Sequence, residues 1–334
     1  MEADMENRTT LVLGATGGIG SEVAAGLATA GWEVRALHRN PEARRGDDRF
    51  VWIKGDALVA GDVAAAAEGA SLIVHAVNPP GYRDWEKLVL PMLDNTISAA
   101  RGGKRILLPG TVYNYGPDAF PDIVEDAPQI PVTRKGRIRV ELERRLGLAA
   151  ERGDAKVLIV RAGDFFGPRA ANNWFSQGLV KPGSRPTSIS YPGKRGVGHQ
   201  WAYLPDVAET MVRLIDEGDL EPFATYHMEG HWDADGSRMT DAIRRALGRN
   251  VSVKRMPWWL IKLAAPFVPL MRELSEMKYL WDQPVRLRNA KLVAAIGAEP
   301  RTPLDEAVRT TLEAIGCLDA PTNTGRSAYT LARA

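Results

Sequence analysis

A glycine-rich loop near the amino terminus constrains the fold of this chain more than any other feature. Residues 11–20 read LVLGATGGIG, so an apolar run leads directly into a loop with glycines at Gly14, Gly17 and Gly20. An alanine-rich stretch that is compatible with a helix follows, and WEVRALHR then has the composition of a second strand. A strand, a glycine turn, a helix and a strand in this order predict a unit that binds a dinucleotide.

The glycines have separate physical roles in such a unit. The first permits a tight turn, the second lets the backbone approach a pyrophosphate, and the third lets the helix pack close to the sheet. The free N–H groups and the positive dipole end of the helix then favour a phosphate. The predicted contacts from this loop are Gly14, Thr16, Gly17, Gly18, Ile19 and Gly20. The plainer alternative is that the glycines only form a tight turn between strand and helix.

The composition is that of an ordinary soluble globular protein. The 334 residues suffice for one large or two smaller domains, and the net charge of +2 gives no general reason to expect nucleic acid as a partner. Cys317 is the only cysteine, so an internal disulfide is excluded and a reducing compartment fits. We therefore expect a cytoplasmic protein without a membrane span. The five histidines lack the spacing of metal ligands, so no metal site is predicted.

Short apolar runs alternate with helix-compatible stretches through the first half of the chain. The predicted strands are 9–13, 33–37, 50–53, 71–76, 105–109 and 156–161, and the predicted helices are 18–30, 62–68, 84–101 and 136–151. This alternation predicts an α/β fold with a Rossmann-type, doubly wound parallel sheet. We expect residues 1–163 to form the dinucleotide-binding domain, to which elements near 199–230 return. Residues 164–334 would mainly form a smaller, C-terminal substrate-binding region.

The second half of the chain has a different amino-acid composition. Residues 163–200 are rich in Pro, Gly, Trp and Ser and predict a long loop region, whereas helices are expected at 205–217, 237–248 and 303–316, and a strand at 226–230. Aromatic residues cluster at 172–175, 258–260 and 279–281. Most should be core, but several in one cleft would favour an apolar or aromatic substrate. The stretch PLMRELSEMKYLW could close that cleft as an amphipathic helix, or contact a second subunit or a membrane surface.

Eight short segments, in the same order, make this chain similar to the extended short-chain dehydrogenase/reductases, which are the epimerase/dehydratase-like Rossmann proteins. They are GATGGIG, KGDAL (54–58), IVHAV (73–77), LDNTISAAR, LLPGTVYNYGP (107–117), RAGDFFGP (161–168), WAYLPDVAETM (201–211) and IGAEPRTPLDEAVRTTL. The resemblance implies a nicotinamide cofactor, with Asp56 at the adenine. It also implies cofactor contacts from Ala57, Ala76 and Val77. Asn95 stands where the family has a helix asparagine, and Thr111 stands at its catalytic serine position.

The chain departs from this family at the residues that move protons. The family uses a Tyr four residues before a Lys; the Tyr exchanges a proton with the substrate oxygen, and the Lys lowers the Tyr pKa and holds the nicotinamide ribose. In PVTRKGRIRVELERRL, Lys135 stands at the Tyr position and Arg139 at the Lys position. Arg139 could bind the ribose but cannot transfer protons. Lys135 could act as an acid with a lowered pKa, although a solvated, basic helix start is the preferred interpretation.

Other side chains could supply the missing proton. Thr111 is the preferred hydroxyl donor to a substrate oxygen. The alternative is that its hydroxyl only forms a hydrogen bond with the backbone at the end of a strand. Tyr115, at the tyrosine of the family's VYG segment, would either face the substrate or pack at a strand end. His199 and Tyr203 lie in GHQWAY, where a structural role is preferred for the histidine. The predicted catalytic set is therefore Thr111, Tyr115, Lys135 and Arg139.

The end of the second predicted strand favours NADP over NAD. NAD-binding relatives usually place an acidic residue there to hold the ribose 2′-hydroxyl, but this chain has His38 and Arg39. Arg39 could pair with a 2′-phosphate, which an acidic residue would repel. The alternative is that these residues only form a basic surface turn.

Two functional hypotheses follow, and both are preferred to a third, a plain structural Rossmann module, because the cofactor features look usable. The first is an NADP-dependent oxidoreductase or epimerase-like enzyme that acts on a small carbonyl or hydroxyl substrate with a non-standard proton donor. The second is a catalytically degenerate NADP-binding sensor or assembly protein, which the missing Tyr favours. A small-molecule ligand is expected in both cases, and the sequence is compatible with a homodimer.

Overall fold

The computed structural model describes residues 7–79, 84–170, 173–217 and 219–319, and within them it contains fourteen strands and ten α-helices. The strands are β1 (Thr9–Leu13), β2 (Glu33–His38), β3 (Val51–Lys54), β4 (Leu72–His75), β5 (Arg105–Gly110), β6 (Asp122–Ile123), β7 (Lys156–Arg161), β8 (Asp164–Phe166), β9 (Ser188–Tyr191), β10 (His199–Tyr203), β11 (Phe223–His227), β12 (His231–Asp233), β13 (Ser252–Arg255) and β14 (Arg286–Leu287). The helices are α1 (Gly18–Thr29), α2 (Ala60–Ala66), α3 (Trp85–Ala99), α4 (Arg134–Glu151), α5 (Leu204–Glu217), α6 (Arg238–Leu247), α7 (Trp258–Ala264), α8 (Pro269–Glu276), α9 (Ala290–Ile296) and α10 (Leu304–Ala314).

A seven-stranded parallel sheet forms the centre of the described chain, in the order β3-β2-β1-β4-β5-β7-β11. The chain moves outward from β1 to β2 and β3, and then returns to the other side of β1 to form β4. This reversal between β1 and β4 is the point where doubly wound sheets bind ligands, at the carboxyl ends of their strands. The predicted Rossmann-type α/β fold is therefore confirmed.

Helices cover both faces of this sheet because its strands alternate their side chains between two apolar layers. Val12 of β1 packs in the layer formed with α1 and α5, whereas Leu11 and Leu13 pack in the layer formed with α2, α3 and α4. All three side chains are at most 1% exposed. Burial on both faces explains why the strands are continuous apolar runs in the sequence.

The predicted elements of the first half agree with the observed ones to within two residues at each boundary. The region 163–200 is different, because it contains β8, β9, the start of β10 and a π-helical turn at Phe175–Leu179 rather than one long loop. These short strands pair with distant segments: β9 pairs with β13, and β10 lies between β8 and β12. Such pairing depends on contacts that no local pattern indicates. Asn172, in the predicted aromatic cluster 172–175, lies outside the described residues.

An aromatic core holds the C-terminal region together. Its members Phe166, Phe175, Trp201 and Trp281 are each at most 1% exposed. His199 stacks on Trp281 with 3.7 Å between ring centroids and is 2.8 Å from Asp164. The predicted helix over PLMRELSEMKYLW is α8, which ends at Glu276 and continues as a 3-10 turn. None of the described helices has the length and apolarity needed to cross a membrane.

Candidate functional site

The glycine loop has a geometry that only glycine permits at two positions. Gly14 has a φ of +90°, and a Cβ there would lie 2.6 Å from the carbonyl oxygen of Ala76. A Cβ at Gly20 would overlap the carbonyl oxygen of Gly14. The loop is therefore pressed against the end of β4, which brings the predicted cofactor residues Ala76 and Val77 next to the loop.

The N-terminus of α1 is open to an anion. Gly17 is its N-cap residue, no described side chain caps this end, and the first turn has no acidic residue. Thr16 and Gly17 are exposed, and Gly18 and Ile19 are half-buried. Because the first N–H groups of a helix have no partner within the helix, this end can hold the diphosphate of a dinucleotide.

The end of β2 is basic and accessible. The ring of His38 lies edge-on to Trp52 at 5.8 Å, and its Nδ1 accepts the backbone N–H of Asn40 at 3.1 Å. Arg39 is exposed, with no hydrogen-bond or ion-pair partner among the described residues. Glu42, the nearest acidic residue in the sequence, pairs with Arg45. Arg39 is thus available for a ligand.

The turn after β3 is held in place by α3. Asp56 accepts the N–H of Leu58 at 3.0 Å, and its own N–H donates to Asp62 at 2.8 Å. The carbonyl oxygen of Ala57 accepts the side-chain amide of Asn95 at 2.9 Å. Asn95 therefore orients the turn that would face an adenine.

Arg139 projects from α4 toward the end of β4. Its Nη2 donates to Asn78 Oδ1 at 3.1 Å, and its guanidinium lies 5.1 Å from the ring centre of Trp85. Burial, helped by the charge of Arg139, lowers the pKa of His75 at the end of β4 to about 3. The Arg139 side chain is thus positioned beside the strand that the sequence predicted to line the cofactor.

Thr111 follows β5 directly and caps a 3-10 turn at Val112–Asn114. Its Oγ1 accepts the N–H of Tyr113 at 3.3 Å and donates to Asn114 Oδ1 at 3.4 Å. The side chain is half-buried and lies in the wall of a cavity. Both interactions leave an oxygen lone pair for a substrate.

The cavity has a volume of about 100 Å³. It begins at the carboxyl ends of β5 and β7, at Gly110 and Ala162, and the C-terminal region closes its other side. Apolar and polar side chains contribute in equal number to the wall. The apolar ones are Val112, Phe165, Trp174, Met256, Leu274 and Met277, and the polar ones are Thr111, Tyr113, Asp164, Asn173, Gln177 and Glu273. A cleft in which apolar side chains and polar groups converge is typical of a small-molecule site.

Lys135 is only 1% exposed, so the interpretation as a solvated helix start is wrong. Its Nζ pairs with the carboxylate of Glu273, lies 3.0 Å from Glu276 Oε2, and donates to the Glu273 carbonyl oxygen at 3.2 Å. Burial alone would raise the pKa of Glu276, but the hydrogen bonds and charge of Lys135 lower it overall. Glu273 lines the cavity, whereas Lys135 stands behind it.

Comparison with known protein families decides the family. Residues 10–227 match the model described as the NAD dependent epimerase/dehydratase family. The chain belongs to this family. The resemblance inferred from the sequence segments is thereby confirmed, and the match ends at the last strand of the central sheet. A comparison with curated protein sequences finds no significant match.

Several solved structures share the fold over most of their length. MoeE5, in complex with UDP-glucose and NAD, is 19% identical with a TM-score of 0.71, and the alignment covers 92% of this chain and 98% of MoeE5. UDP-glucuronic acid 4-epimerase from Bacillus cereus is 16% identical, with the same TM-score and coverage. The protein gox2253 is 22% identical with a TM-score of 0.68, again over 92% and 98% of the two chains.

Tyr115 does not line the cavity of this family member, although the sequence made it a catalytic candidate. It is fully buried, and its hydroxyl lies 3.3 Å from His227 Nε2. Arg161 Nε also points at His227 Nε2, at 3.3 Å, and a guanidinium can only donate. Nε2 of His227 therefore carries no proton and accepts this bond. Burial, helped by the charge of Arg161, lowers the pKa of His227 to about 3. Tyr115 packs behind the Thr111 turn rather than facing a substrate.

Arg161 connects this buried network to the site. It is fully buried, its Nη1 donates to the Thr111 carbonyl oxygen at 2.6 Å, and its Nη2 donates to Glu143 Oε2 at 2.8 Å. Gln129 also donates to Glu143, at 3.0 Å. The network positions the backbone of Thr111, so the Arg of RAGDFFGP has a supporting role that the sequence did not reveal.

His199 and Tyr203 lie on β10, and neither lines the cavity. His199 instead orients Asp164, which does line it. The described residues contain no cluster of three or more side chains able to hold a metal ion.

Glu273 and Glu276 are the site residues that sequence reasoning missed. They stand three residues apart in MRELSEM, which reads as one face of an amphipathic helix. Their partner Lys135 is 138 residues away from Glu273 in the sequence. Only a search for acids that could neutralise a buried lysine would have indicated them.

We expect the stability of this protein to fall as the pH drops from about 7 to about 5. Burial lowers the pKa of both His75 and His227 to about 3 and that of His231 to about 4, from 6.5. Below pH 6.5 these three histidines become protonated in the unfolded chain but stay neutral in the folded protein. Each of them therefore lowers the free energy of unfolding by about 2 kcal/mol at about pH 5.

Urea unfolding at the two pH values measures this loss. His75→Asn keeps a donor for Thr96, whose Oγ1 is 2.8 Å from His75 Nδ1, and should remove about 2 kcal/mol of the pH dependence. Identical pH dependence in the wild type and this variant would contradict the prediction.

Proposed function

We propose that this protein is an NADP-dependent oxidoreductase that acts on a small, apolar carbonyl or hydroxyl compound. One observation carries the proposal: an open helix N-terminus and an apolar cavity that contains Thr111 lie at the same, carboxyl edge of the parallel sheet. A bound nicotinamide would supply or accept the hydride. The chain would provide the diphosphate contact at Gly17 and the ribose contact at Arg139, and the Thr111 hydroxyl would turn its proton from Asn114 Oδ1 to the substrate oxygen.

The apolar wall supports this substrate class. Trp174, Met256, Leu274 and Met277 provide much of the surface, and these side chains favour contact with an apolar part of a substrate. MoeE5 and the Bacillus cereus epimerase are described with UDP-sugars and NAD. We propose a different substrate class for this chain on the chemistry of its own cavity.

We propose NADP because Arg39 is exposed at the end of β2 and the nearest acid, Glu42, is paired with Arg45.

Arg39→Asp should shift the ratio of NADP to NAD affinity toward NAD by about 10- to 100-fold, because it removes a charge-assisted contact and adds repulsion. Calorimetric titration with both nucleotides gives the ratio. Arg101→Asp makes the same charge change just before β5, at the amino ends of the strands and away from the proposed site. This control should leave the affinity ratio unchanged. An unaltered ratio in Arg39→Asp would exclude Arg39 from the site.

We further propose that Glu273 and Lys135 replace the family's tyrosine as proton source. In the reducing direction a proton of Lys135 Nζ would pass to the Glu273 carboxylate and from there to the substrate oxygen as the hydride reaches the carbonyl carbon, and a proton from solvent would restore the lysine. Glu273 lines the cavity and Lys135 pairs with it from behind, which supports this order.

Glu273→Gln should lower kcat by about 100-fold or more, the usual loss of a general acid. The dissociation constant for NADPH should not change, because the side chain would contact substrate and not cofactor. Glu276→Gln is the matched control: Glu276 pairs with the same lysine but does not line the cavity, so a small effect is expected. Equal rates for wild type and Glu273→Gln would exclude the assignment.

A nucleotide sensor without hydride chemistry is the second candidate. The observation that favours it is the double ion pair that holds Lys135 behind the cavity wall. Incubation of NADPH with a panel of carbonyl compounds, followed through the near-ultraviolet absorbance of the nicotinamide, separates the two functions. Thermal stabilisation by NADPH without turnover of any compound would favour the sensor.

A further inference from the structure

Five large apolar side chains in a single short segment are exposed, and we call them the α7 face: Trp259, Leu260, Leu263, Phe267 and Val268. Phe267 is 84% exposed, Trp259 68% and Leu263 66%, which are the highest values for large apolar side chains among the described residues. Scattered exposed apolar residues are normal, but a cluster of this kind indicates a binding partner.

The opposite side of α7 already packs on the protein. Trp258 donates its indole N–H to the Pro192 carbonyl oxygen at 2.8 Å and packs against Trp174, and Ile261 is buried. A surface helix that is anchored in this way normally turns polar residues to solvent. Here the outer side carries Trp259, Leu260 and Leu263 instead, so folding of this chain alone leaves the face uncovered.

The charge around the face indicates what covers it. Residues 252–272 contain four basic residues and no acidic one. Lys254, Arg255 and Lys262 are exposed. Tryptophan, phenylalanine and leucine beside lysine and arginine are the composition of segments that lie in the headgroup region of anionic bilayers. A second copy on a twofold axis would place Lys262 and its neighbours near like charges.

We propose that the α7 face docks on an anionic phospholipid surface. Trp259, Leu263 and Phe267 would enter the boundary between headgroups and acyl chains, and Lys262 and Arg255 would meet lipid phosphates. With seven residues, α7 is too short to span a bilayer, so it would lie in the interface. The small net charge of the whole chain is no obstacle, because surface potentials fall off within a Debye length.

The same segment connects the docking surface to the cavity. Met256 precedes α7, Leu274 lies in α8 and Met277 follows it, and all three line the cavity wall. Docking would therefore hold the cavity close to the bilayer. The substrate class that benefits is a lipophilic carbonyl or alcohol that partitions into the membrane. This statement about the substrate rests on the proposed function, whereas the docking does not.

Co-sedimentation of the full-length protein with vesicles tests the docking. One set of vesicles is phosphatidylcholine alone, and the other contains one third phosphatidylglycerol. The wild type should bind the anionic vesicles, bind phosphatidylcholine more weakly, and lose binding to the anionic vesicles as salt is added. The triple variant Trp259→Ser, Leu263→Ser, Phe267→Ser should lower the partition coefficient by at least about tenfold.

Two further variants separate the apolar and charged contributions. The matched control is Val51→Ser, Ile130→Ser, Val132→Ser, which removes three apolar side chains that are 53%, 58% and 53% exposed elsewhere and should leave vesicle binding unchanged. The variant Lys254→Gln, Arg255→Gln, Lys262→Gln should lower binding to the anionic vesicles selectively. Circular dichroism and thermal unfolding establish that each variant is folded.

Two outcomes would overturn the docking proposal. One is a folded wild type that stays in solution with both kinds of vesicle. The other is a wild-type dimer that the triple serine variant converts to a monomer, because the face would then belong to a second copy of this chain. Vesicle binding is measured without nucleotide, so a failure to bind NADPH would refute the proposed function and leave the docking result intact.

Discussion

Gly17→Val is expected to abolish dinucleotide binding and to leave the protein folded. Gly17 is the exposed N-cap of α1, and a Cβ there would meet only the Gly14 carbonyl oxygen, at 3.3 Å. The backbone can therefore accept a side chain with a small adjustment. The two methyl groups of valine would then occupy the space over the free N–H groups, where a diphosphate must approach the backbone closely. Calorimetric titration with NADP and NAD should detect no binding.

The choice of glycine makes this test specific. Gly14→Ala would combine a φ of +90° with a Cβ that lies 2.6 Å from the Ala76 carbonyl oxygen, so lost binding could reflect lost folding. Gly147→Val is a suitable control, because a Cβ at this position of α4 meets only the ring of Phe223, at 3.9 Å. It should bind nucleotide as the wild type does. If Gly17→Val bound nucleotide with the affinity of the wild type, the assignment of this loop to dinucleotide binding would be refuted.

Glu143→Leu is expected to cost about 3–5 kcal/mol of unfolding free energy, since it leaves a buried guanidinium without its counter-charge. Arg161 is fully buried, and the Glu143 side chain is 7% exposed at 2.8 Å from it. Gln129 would also lose its acceptor. Urea unfolding measures the loss, and the same variant should weaken substrate turnover because Arg161 holds the Thr111 carbonyl.

An exposed pair on the same helix provides the comparison. Glu141 bonds to Arg144 and Arg145 near the surface, and such pairs contribute at most about 1 kcal/mol, so Glu141→Leu should have a small effect. Adding Arg161→Met to Glu143→Leu should restore part of the stability, because the uncompensated charge is removed with its partner. Equal losses of unfolding free energy for Glu141→Leu and Glu143→Leu would show that the buried pair contributes no more to stability than the exposed one.

Local patterns were sufficient for the cofactor half of the molecule. β1, the glycine loop, α1 and β2 follow one another in the sequence, and Gly14, Gly17 and Gly20 approach only the loop itself or the end of β4. The apolar runs of the sheet are continuous because both faces are buried, and this makes them recognisable without any knowledge of their neighbours. For the same reason the predicted bounds of β1 and β7 agree with the structure at both ends.

Patterns of this kind could not indicate the groups around the cavity. Lys135 reads as one of several basic residues in RKGRIR, and only the approach of α8 shows that it is buried between two glutamates. Tyr115 reads as a substrate-facing residue, but the network of Arg161 and His227 holds it behind the Thr111 turn. In both cases the deciding contact joins residues more than a hundred positions apart.

The sequence by itself determined the sheet, the glycine loop and the family, because short-range backbone geometry and strand periodicity specify them. Tertiary structure alone decided which polar groups reach the cavity and which apolar residues remain uncovered. The physical reason is burial: whether a lysine is paired, a tyrosine enclosed or a tryptophan exposed depends on the segment packed against it, and that segment is distant in the chain.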